Sequence, residues 1–298
     1  MPATSDELRW DNRIAVVTGA GRGIGRAHAL LLGARGAKVL VNSRNIENAE
    51  EVVAKIVAGG GQAVADTSDL SQAGAPESSI ARAVNTFGGV DIIVHNAGIS
   101  VHKDLTELDQ AQFDFMTRLH VAAGFFLAKA AWPYMVEQGR GRIVLTASGA
   151  GFWGQTNNHD YSAAKAGVGG LTKSLGIAGR GHNITVNCVA PRAGTDLAAR
   201  TVKDARIRDK LMNDMPPDRI APLVAWLVHD DCHVSGELFD AGGGLVRRIF
   251  VGLTAGYSHR ELTAERVRDN FDKIMDEGSY IVPTHAMDVA LDTWEPTR

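Results

Sequence analysis

Short apolar runs alternate with longer amphipathic stretches through the first 245 or so residues. RIAVVTGA (13–20), AKVLVN (37–42), VDIIVHNAG (90–98), GRIVLTAS (141–148) and ITVNCVAP (184–191) are rich in Val and Ile and lack polar alternation. That is the pattern of parallel strands covered on both faces. GELFDAGGG (236–244) predicts one more strand ending in a tight glycine turn. Between the runs, GRAHALLLGARG and NAEEVVAKIVAGGG have helical spacing and close in glycines suited to helix C-termini. The alternation predicts an α/β fold, a Rossmann-type doubly wound parallel sheet of about seven strands with helices on both faces. After Val246 the pattern changes: LTAERVRDNFDKIMD predicts an amphipathic helix behind a Thr N-cap.

Composition narrows the classes of function. With 298 residues, 45% hydrophobic and 22% charged, the chain can build a large core. A net charge of −3 gives no basic surface for nucleic acid. The two cysteines, Cys188 and Cys232, are far apart in sequence, so no disulfide framework is expected and a reducing compartment is. MPATSDELRWDN lacks a signal-peptide pattern, VAAGFFLAKAAW is too short and too polar to span a membrane, and WEPTR matches neither a peroxisomal nor a prenylation signal. The expected address is the cytoplasm.

VVTGAGRGIGRAHAL places Gly19, Gly21, Gly23 and Gly25 directly after the first strand and before the first helix. Glycines there let the backbone turn and approach a pyrophosphate, and the helix N-terminus supplies free N–H groups. At the end of the second strand, VNSRN has Ser43 where NAD sites place a ribose-binding acid, followed by Arg44. A guanidinium attracts a 2′-phosphate, so NADP(H) is favoured and NAD(H) remains open, the bland alternative being a solvated arginine. DYSAAKAG then sets Tyr161 and Lys165 at i, i+4 on a helix, where an ammonium beside a phenol favours its ionised form. On those eight residues alone, a proton donor and an ordinary surface pair are both admissible.

TGAGRGIG, HNAG (95–98), Ser148 and YSAAK together resemble the short-chain dehydrogenase/reductase superfamily over residues 10–245. Ser148 stands 13 residues before Tyr161, as the catalytic serine does in that family. The resemblance implies an NAD(P)-dependent oxidoreductase that moves hydride between nicotinamide and a secondary alcohol or ketone. It implies catalytic roles for Ser148, Tyr161, Lys165 and, in the place of the usual asparagine, His120. Lys165 would lower the tyrosine pKa and bind the nicotinamide ribose. His120 would be either a proton relay or a structural core residue. Coenzyme contacts are implied for Gly19, Gly21, Arg22, Gly23, Ile24, Gly25, Ser43, Arg44, Asp69, Leu70, Asn96, Ala97, Gly98, Tyr161, Lys165 and Pro191. Family members form homodimers or homotetramers through two long helices, here about 107–138 and 160–180.

His120, and Arg192 in place of the glycine after Pro191, are similar to one branch, the (3R)-hydroxyacyl-CoA dehydrogenase domains of peroxisomal multifunctional enzymes. An acyl-CoA joins simple alcohols and ketones as an expected substrate, and the chain would be a stand-alone relative. That branch carries an acid where this chain has Ser43. The expected organisation is a dinucleotide-binding and catalytic domain over 1–246, with 247–298 as a helical extension packed on it or on a partner subunit. A non-catalytic NAD(P)-binding sensor is the alternative class. HDDCHVSG (229–236) is not expected to hold a metal, because adjacent residues rarely converge on one ion. Trp153 is assigned either to the substrate cleft or to the core.

Overall fold

The computed structural model describes residues 7–290, and the chain divides into two units, 1–248 and 249–298. The first unit is wound on a sheet of β1 (Ile14–Thr18), β2 (Lys38–Asn42), β3 (Gln62–Asp66), β4 (Ile92–His95), β5 (Gly141–Thr146), β6 (Ile184–Pro191), β7 (Leu238–Gly242) and β8 (Leu245–Ile249). Their order is β3-β2-β1-β4-β5-β6-β7-β8, with parallel pairing from β3 to β7. The order reverses direction between β1 and β4, which opens a crevice at the carboxyl ends of those strands.

Helices cover the sheet: α1 (Gly23–Ala34), α2 (Ile46–Ala58), α3 (Ala75–Phe87), α4 (Gln110–Thr117), α5 (Ala123–Glu137), α6 (Gly149–Trp153), α7 (His159–Gly179), α8 (Asp196–Thr201), α9 (Ala205–Asp214) and α10 (Ala221–Leu227). Local chemistry sets their starts. The Asn45 side chain caps α2 by accepting from Asn48 N at 2.8 Å, and Asp204 caps α9 through Ile207 N at 3.1 Å. Val16, Val39, Val41, Ile93 and Ile143 are fully buried between the helical layers, each worth roughly 1.5–3 kcal/mol of transfer free energy.

The sheet has eight strands rather than seven, and two of them were not among the apolar runs. β3 is a short edge strand of mostly half-buried alanine-rich sequence, QAVAD, so it lacks a hydrophobic signature. β8, LVRRI, is exposed over most of its length. It forms because Gly243 (φ 60°) and Gly244 (φ 86°) make the two-residue hairpin turn from β7, as DAGGG predicts.

The HDDC segment is tied to the amino-terminal edge of the sheet. The buried Arg142 donates to the His229 carbonyl at 3.2 Å and the Asp230 carbonyl at 3.1 Å. Among the described residues no group of three or more His, Cys, Asp or Glu is placed to hold a metal ion.

In the second unit β9 (Leu253–Thr254) pairs antiparallel with β10 (Tyr280–Ile281), alongside α11 (Ala264–Asp269), α12 (Phe271–Met275) and α13 (Ala286–Ala290). The Thr263 hydroxyl accepts from Arg266 N at 3.3 Å, giving the expected cap. The single helix expected beyond it is broken at Asn270 (φ −121°), whose side chain donates to the Arg266 carbonyl and competes with helical pairing. No helix among the described residues is long and apolar enough to cross a membrane.

Candidate active site

The carboxyl ends of β1, β2, β4, β5 and β6 border one long cleft of about 1390 Å³. Its first end is the glycine loop. Gly19 has φ 61°, and a Cβ on it would lie 2.8 Å from the Ala97 Cα. A Cβ on Gly25 would meet the Gly19 carbonyl at 2.4 Å and Asn96 Nδ2 at 2.6 Å, so only glycine lets α1 approach the loop. This tight cradle ahead of a helix N-terminus fits the pyrophosphate of a dinucleotide. Every expected coenzyme contact lines the cleft except Gly25, which sits beneath the loop as a packing residue.

Thr18, not singled out from the sequence, organises this end. Its hydroxyl accepts from Asn96 N and Ala97 N, both at 3.0 Å, and donates to His95 Nδ1 at 3.0 Å. His95 is therefore the Nε2–H tautomer and donates to the Leu119 carbonyl at 3.2 Å. Burial pushes its pKa down to about 4, so it is a neutral strut between β4 and the segment carrying His120.

At the ribose position Ser43 Oγ lies 2.6 Å from where a Gly21 Cβ would stand. Arg44 is 61% exposed, with Nη1 3.8 Å from Asp69 Oδ2. The buried Asp66 does not face the cleft as a free carboxylate. It accepts from Asn42 Nδ2 at 2.9 Å and from Ser79 Oγ at 2.6 Å. Arg22 pairs with Asp196 of α8 at 3.2 Å, across the mouth of the loop.

The middle of the cleft brings Ser148, Tyr161, Lys165 and His120 together. Ser148 lies two residues beyond β5 and caps α6, its Oγ accepting from Ala150 N at 3.2 Å. Tyr161 lies in the first turn of α7, whose start is held by the buried Asp160. That carboxylate accepts from Tyr161 N at 2.8 Å and Gln112 Nε2 at 2.9 Å. One turn on, Lys165 is 4% exposed, donates to the Thr146 carbonyl at 2.5 Å, and sits 5.6 Å from the Tyr161 ring centroid.

The electrostatics correct one expectation. The Tyr161 pKa is raised, not lowered: burial dominates and the Ser148 hydroxyl, donating to the phenol oxygen, offsets it only in part. Lys165 is itself pushed down to about 7 by burial, so near neutrality it carries only part of a charge. The i, i+4 spacing sets the amine over the ring face.

His120 owes its position to an irregularity. Helical backbone runs from Gln110 to Glu137, but Arg118–Ala122 forms a π-helical turn between α4 and α5. The wide turn points His120 at Tyr161, edge to face with ring centroids 5.3 Å apart. Its Nε2 donates to the Ile99 carbonyl at 2.9 Å, which leaves Nδ1 a buried acceptor with no partner among the described residues. Burial and then Lys165 hold its pKa well below the ordinary histidine value.

Two further groups escaped the sequence. Asn158, buried at the entry to α7, accepts from Ser100 Oγ at 3.0 Å and donates to Gln155 Oε1 at 3.1 Å, joining the loops on either side of the cleft. Asp240 on β7 anchors Arg192. Neither has a local motif, since both act through residues at least several positions away. Trp153 is 66% exposed and does not line the cleft, so neither the core nor the cleft assignment is met.

Comparison with known proteins agrees with this geometry. The short chain dehydrogenase family matches residues 13–205. The chain is 38% identical over 282 residues to mouse peroxisomal multifunctional enzyme type 2, covering 90% of this chain and 37% of that protein. The structure of the full-length enzyme of that name from Drosophila melanogaster superposes with a TM-score of 0.81 at 31% identity, over 95% of this chain and 48% of that one. A 7α-hydroxysteroid dehydrogenase complexed with NADH and a 7-oxo bile acid superposes at 0.75 with 32% identity, over 81% and 97%. The chain thus spans less than half the length of these two multifunctional enzymes. From the glycine loop, the Ser148–Tyr161–Lys165 cluster and these matches, the chain belongs to the short-chain dehydrogenase/reductase family, NAD(P)-dependent oxidoreductases acting on CH–OH groups.

Proposed function

We propose that the chain interconverts a 3-hydroxyacyl thioester and its 3-oxoacyl counterpart, with NADP(H) as the preferred coenzyme. The observation that carries this is the convergence of Ser148, Tyr161 and Lys165 in the middle of a cleft whose far end is a phosphate cradle. The similarity of His120 and Arg192 to the hydroxyacyl-CoA dehydrogenase branch supports the thioester, and Arg44 beside Ser43, with Asp66 turned inward, supports a 2′-phosphate.

The glycine loop, Asn96 and Lys165 would hold a nicotinamide coenzyme, which when bound would supply or take up the hydride. The rest falls to the chain. The Ser148 hydroxyl donates to the substrate oxygen and stabilises its developing charge. Tyr161 gives its proton to that oxygen during reduction and recovers it during oxidation. Lys165, near half-ionised at neutrality, is poised to exchange that proton, and His120 offers the acceptor Nδ1 that orients the relay.

The cytoplasm is the proposed address, in keeping with two buried free thiols. Residues 1–246 carry coenzyme binding and catalysis, 10–245 being the family core, and 247–298 are accessory. A homodimer or homotetramer through α4–α5 and α7 is supported by the exposed Phe113, Phe125 and Tyr134. A binding-only sensor has no observation in its favour.

The test is purified protein with NADPH and a 3-oxoacyl thioester, followed at 340 nm. Loss of absorbance is expected; no loss across a panel of 3-oxoacyl thioesters and simple ketones would overturn the assignment.

A further inference from the structure

Arg192 stands immediately after Pro191, where the family has glycine, and lines the cleft. β5 and β6 run in register as Thr146↔Val189, and Ala147 N donates to the Val189 carbonyl at 2.8 Å. The ladder closes there, with Ser148 two residues beyond it and Arg192 three, so both follow the carboxyl ends of neighbouring strands and line one cleft.

The strand period also settles the face. Cys188 packs beside Lys165 and Thr172 of α7, and Ala190 and Arg192 follow it at intervals of two. Ala190 is the partner of Asp240, so Arg192 and Asp240 share the face that carries the catalytic helix. There the 2%-exposed Asp240 accepts from Arg192 Nε at 2.9 Å and Nη2 at 3.1 Å, a two-pronged fork. Arg247 on β8 donates to the same carboxylate at 2.7 Å and 3.0 Å. The triad keeps one net positive charge. The fork uses two of the five N–H donors of Arg192 and leaves three without a partner among the described residues. A guanidinium fixed by a buried anion, with donors to spare, is a built hydrogen-bonding device in the cleft wall.

We propose that Arg192 is a specificity residue that donates to the acyl carbonyl oxygen of the substrate, one methylene from the reacting ketone, and so selects 3-oxoacyl thioesters over simple ketones. The proposal rests on the ketone-reducing assignment above and adds the group that distinguishes the substrate class. A hydrogen bond from a cation that is already held loses little on forming, and it outweighs one between neutral groups.

The test uses two probes: S-acetoacetyl-N-acetylcysteamine, and its analogue with CH2 in place of the thioester carbonyl. Each is titrated calorimetrically into the NADPH-bound protein carrying Tyr161→Phe, so that binding is read without turnover. The expected preference for the dicarbonyl probe is about tenfold to a hundredfold. Arg192→Met should collapse it to near unity. Arg247→Met, which removes the other partner of Asp240 outside the cleft, should leave it standing. Equal affinity of both probes before mutation, an undiminished preference in Arg192→Met, or an equal collapse in Arg247→Met would each overturn the proposal. Failure of the parent protein to oxidise NADPH with any ketone overturns the catalytic assignment instead, and the titration reads out separately.

Discussion

Lys165 lies over the ring of Tyr161, its Nζ 5.6 Å from the centroid, and spends its hydrogen bond on the Thr146 carbonyl. The pair is thus a stacked acid and amine in a dry wall, each moved by burial towards its neutral form.

Replacing Tyr161 with Phe removes the proton donor and keeps the ring that His120 and Lys165 pack against. Turnover should fall at least about 100-fold, while NADPH affinity, measured by fluorescence titration, stays close to that of the parent. Retained turnover would reject the assignment of the donor.

Lys165 has a folded-state pKa of about 7 against an ordinary 10.5, so between those values the unfolded chain binds more protons than the folded one. Stability therefore rises with pH through that window, and the full penalty is present below about 7. Lys165→Met should be inactive yet more stable than the parent at pH 6–7, by a few kcal/mol at ~1.4 kcal/mol per pKa unit. The difference should shrink towards pH 10.5. Urea unfolding at pH 6.5 and 9.5 measures it, and a less stable variant at both would contradict the burial argument.

Three histidines are buried in neutral form: His28, His95 and His120. Their depressed pKa values, about 3 for His28 and about 4 for His95, mean that stability is intact above about 6.5 and drains as pH falls below it. Each contributes a slope of up to ~1.4 kcal/mol per pH unit. His28, whose Nδ1 has no partner among the described residues, is the clearest case. His28→Leu should flatten the acid limb between pH 6.5 and 4; an unchanged limb would mean that another group controls it.

Arg44 is the exposed cation at the ribose position. Arg44→Ala should weaken NADPH by about 1–3 kcal/mol, the worth of a charge-assisted hydrogen bond, and NADH much less. Equal losses for both coenzymes would remove the 2′-phosphate from the account.

His120→Asn restores the family's usual residue, which cannot titrate. It should keep most turnover, since it still offers an acceptor, whereas His120→Leu should lose at least about tenfold. Equal activity of the two would make His120 a packing residue.

The central strands were legible because each is buried on both faces and shows it as an unbroken Val/Ile run. β3 and β8 were not, since an edge strand is specified by its neighbour and its turn as much as by its own composition. The glycine loop, Ser148, Tyr161 and Lys165 were legible through spacing. Their electrostatics were not, because spacing places Lys165 beside Tyr161 but says nothing of how dry the site is. Asp240 and Asn158 find their partners only after the sheet has closed, and the break at Asn270 depends on one side chain outcompeting a backbone bond.

The wide turn at Arg118–Ala122 gives the long helix one residue more than a regular coil of the same sweep. Removing one residue there would let the coil regularise, narrowing the turn while the helices on either side keep their phase. The imidazole would swing away from the phenol even though no residue of the catalytic set had been replaced. The spare residue thus aims one side chain without turning the rest of the helix, and a one-codon deletion should be as damaging to chemistry as losing a catalytic side chain.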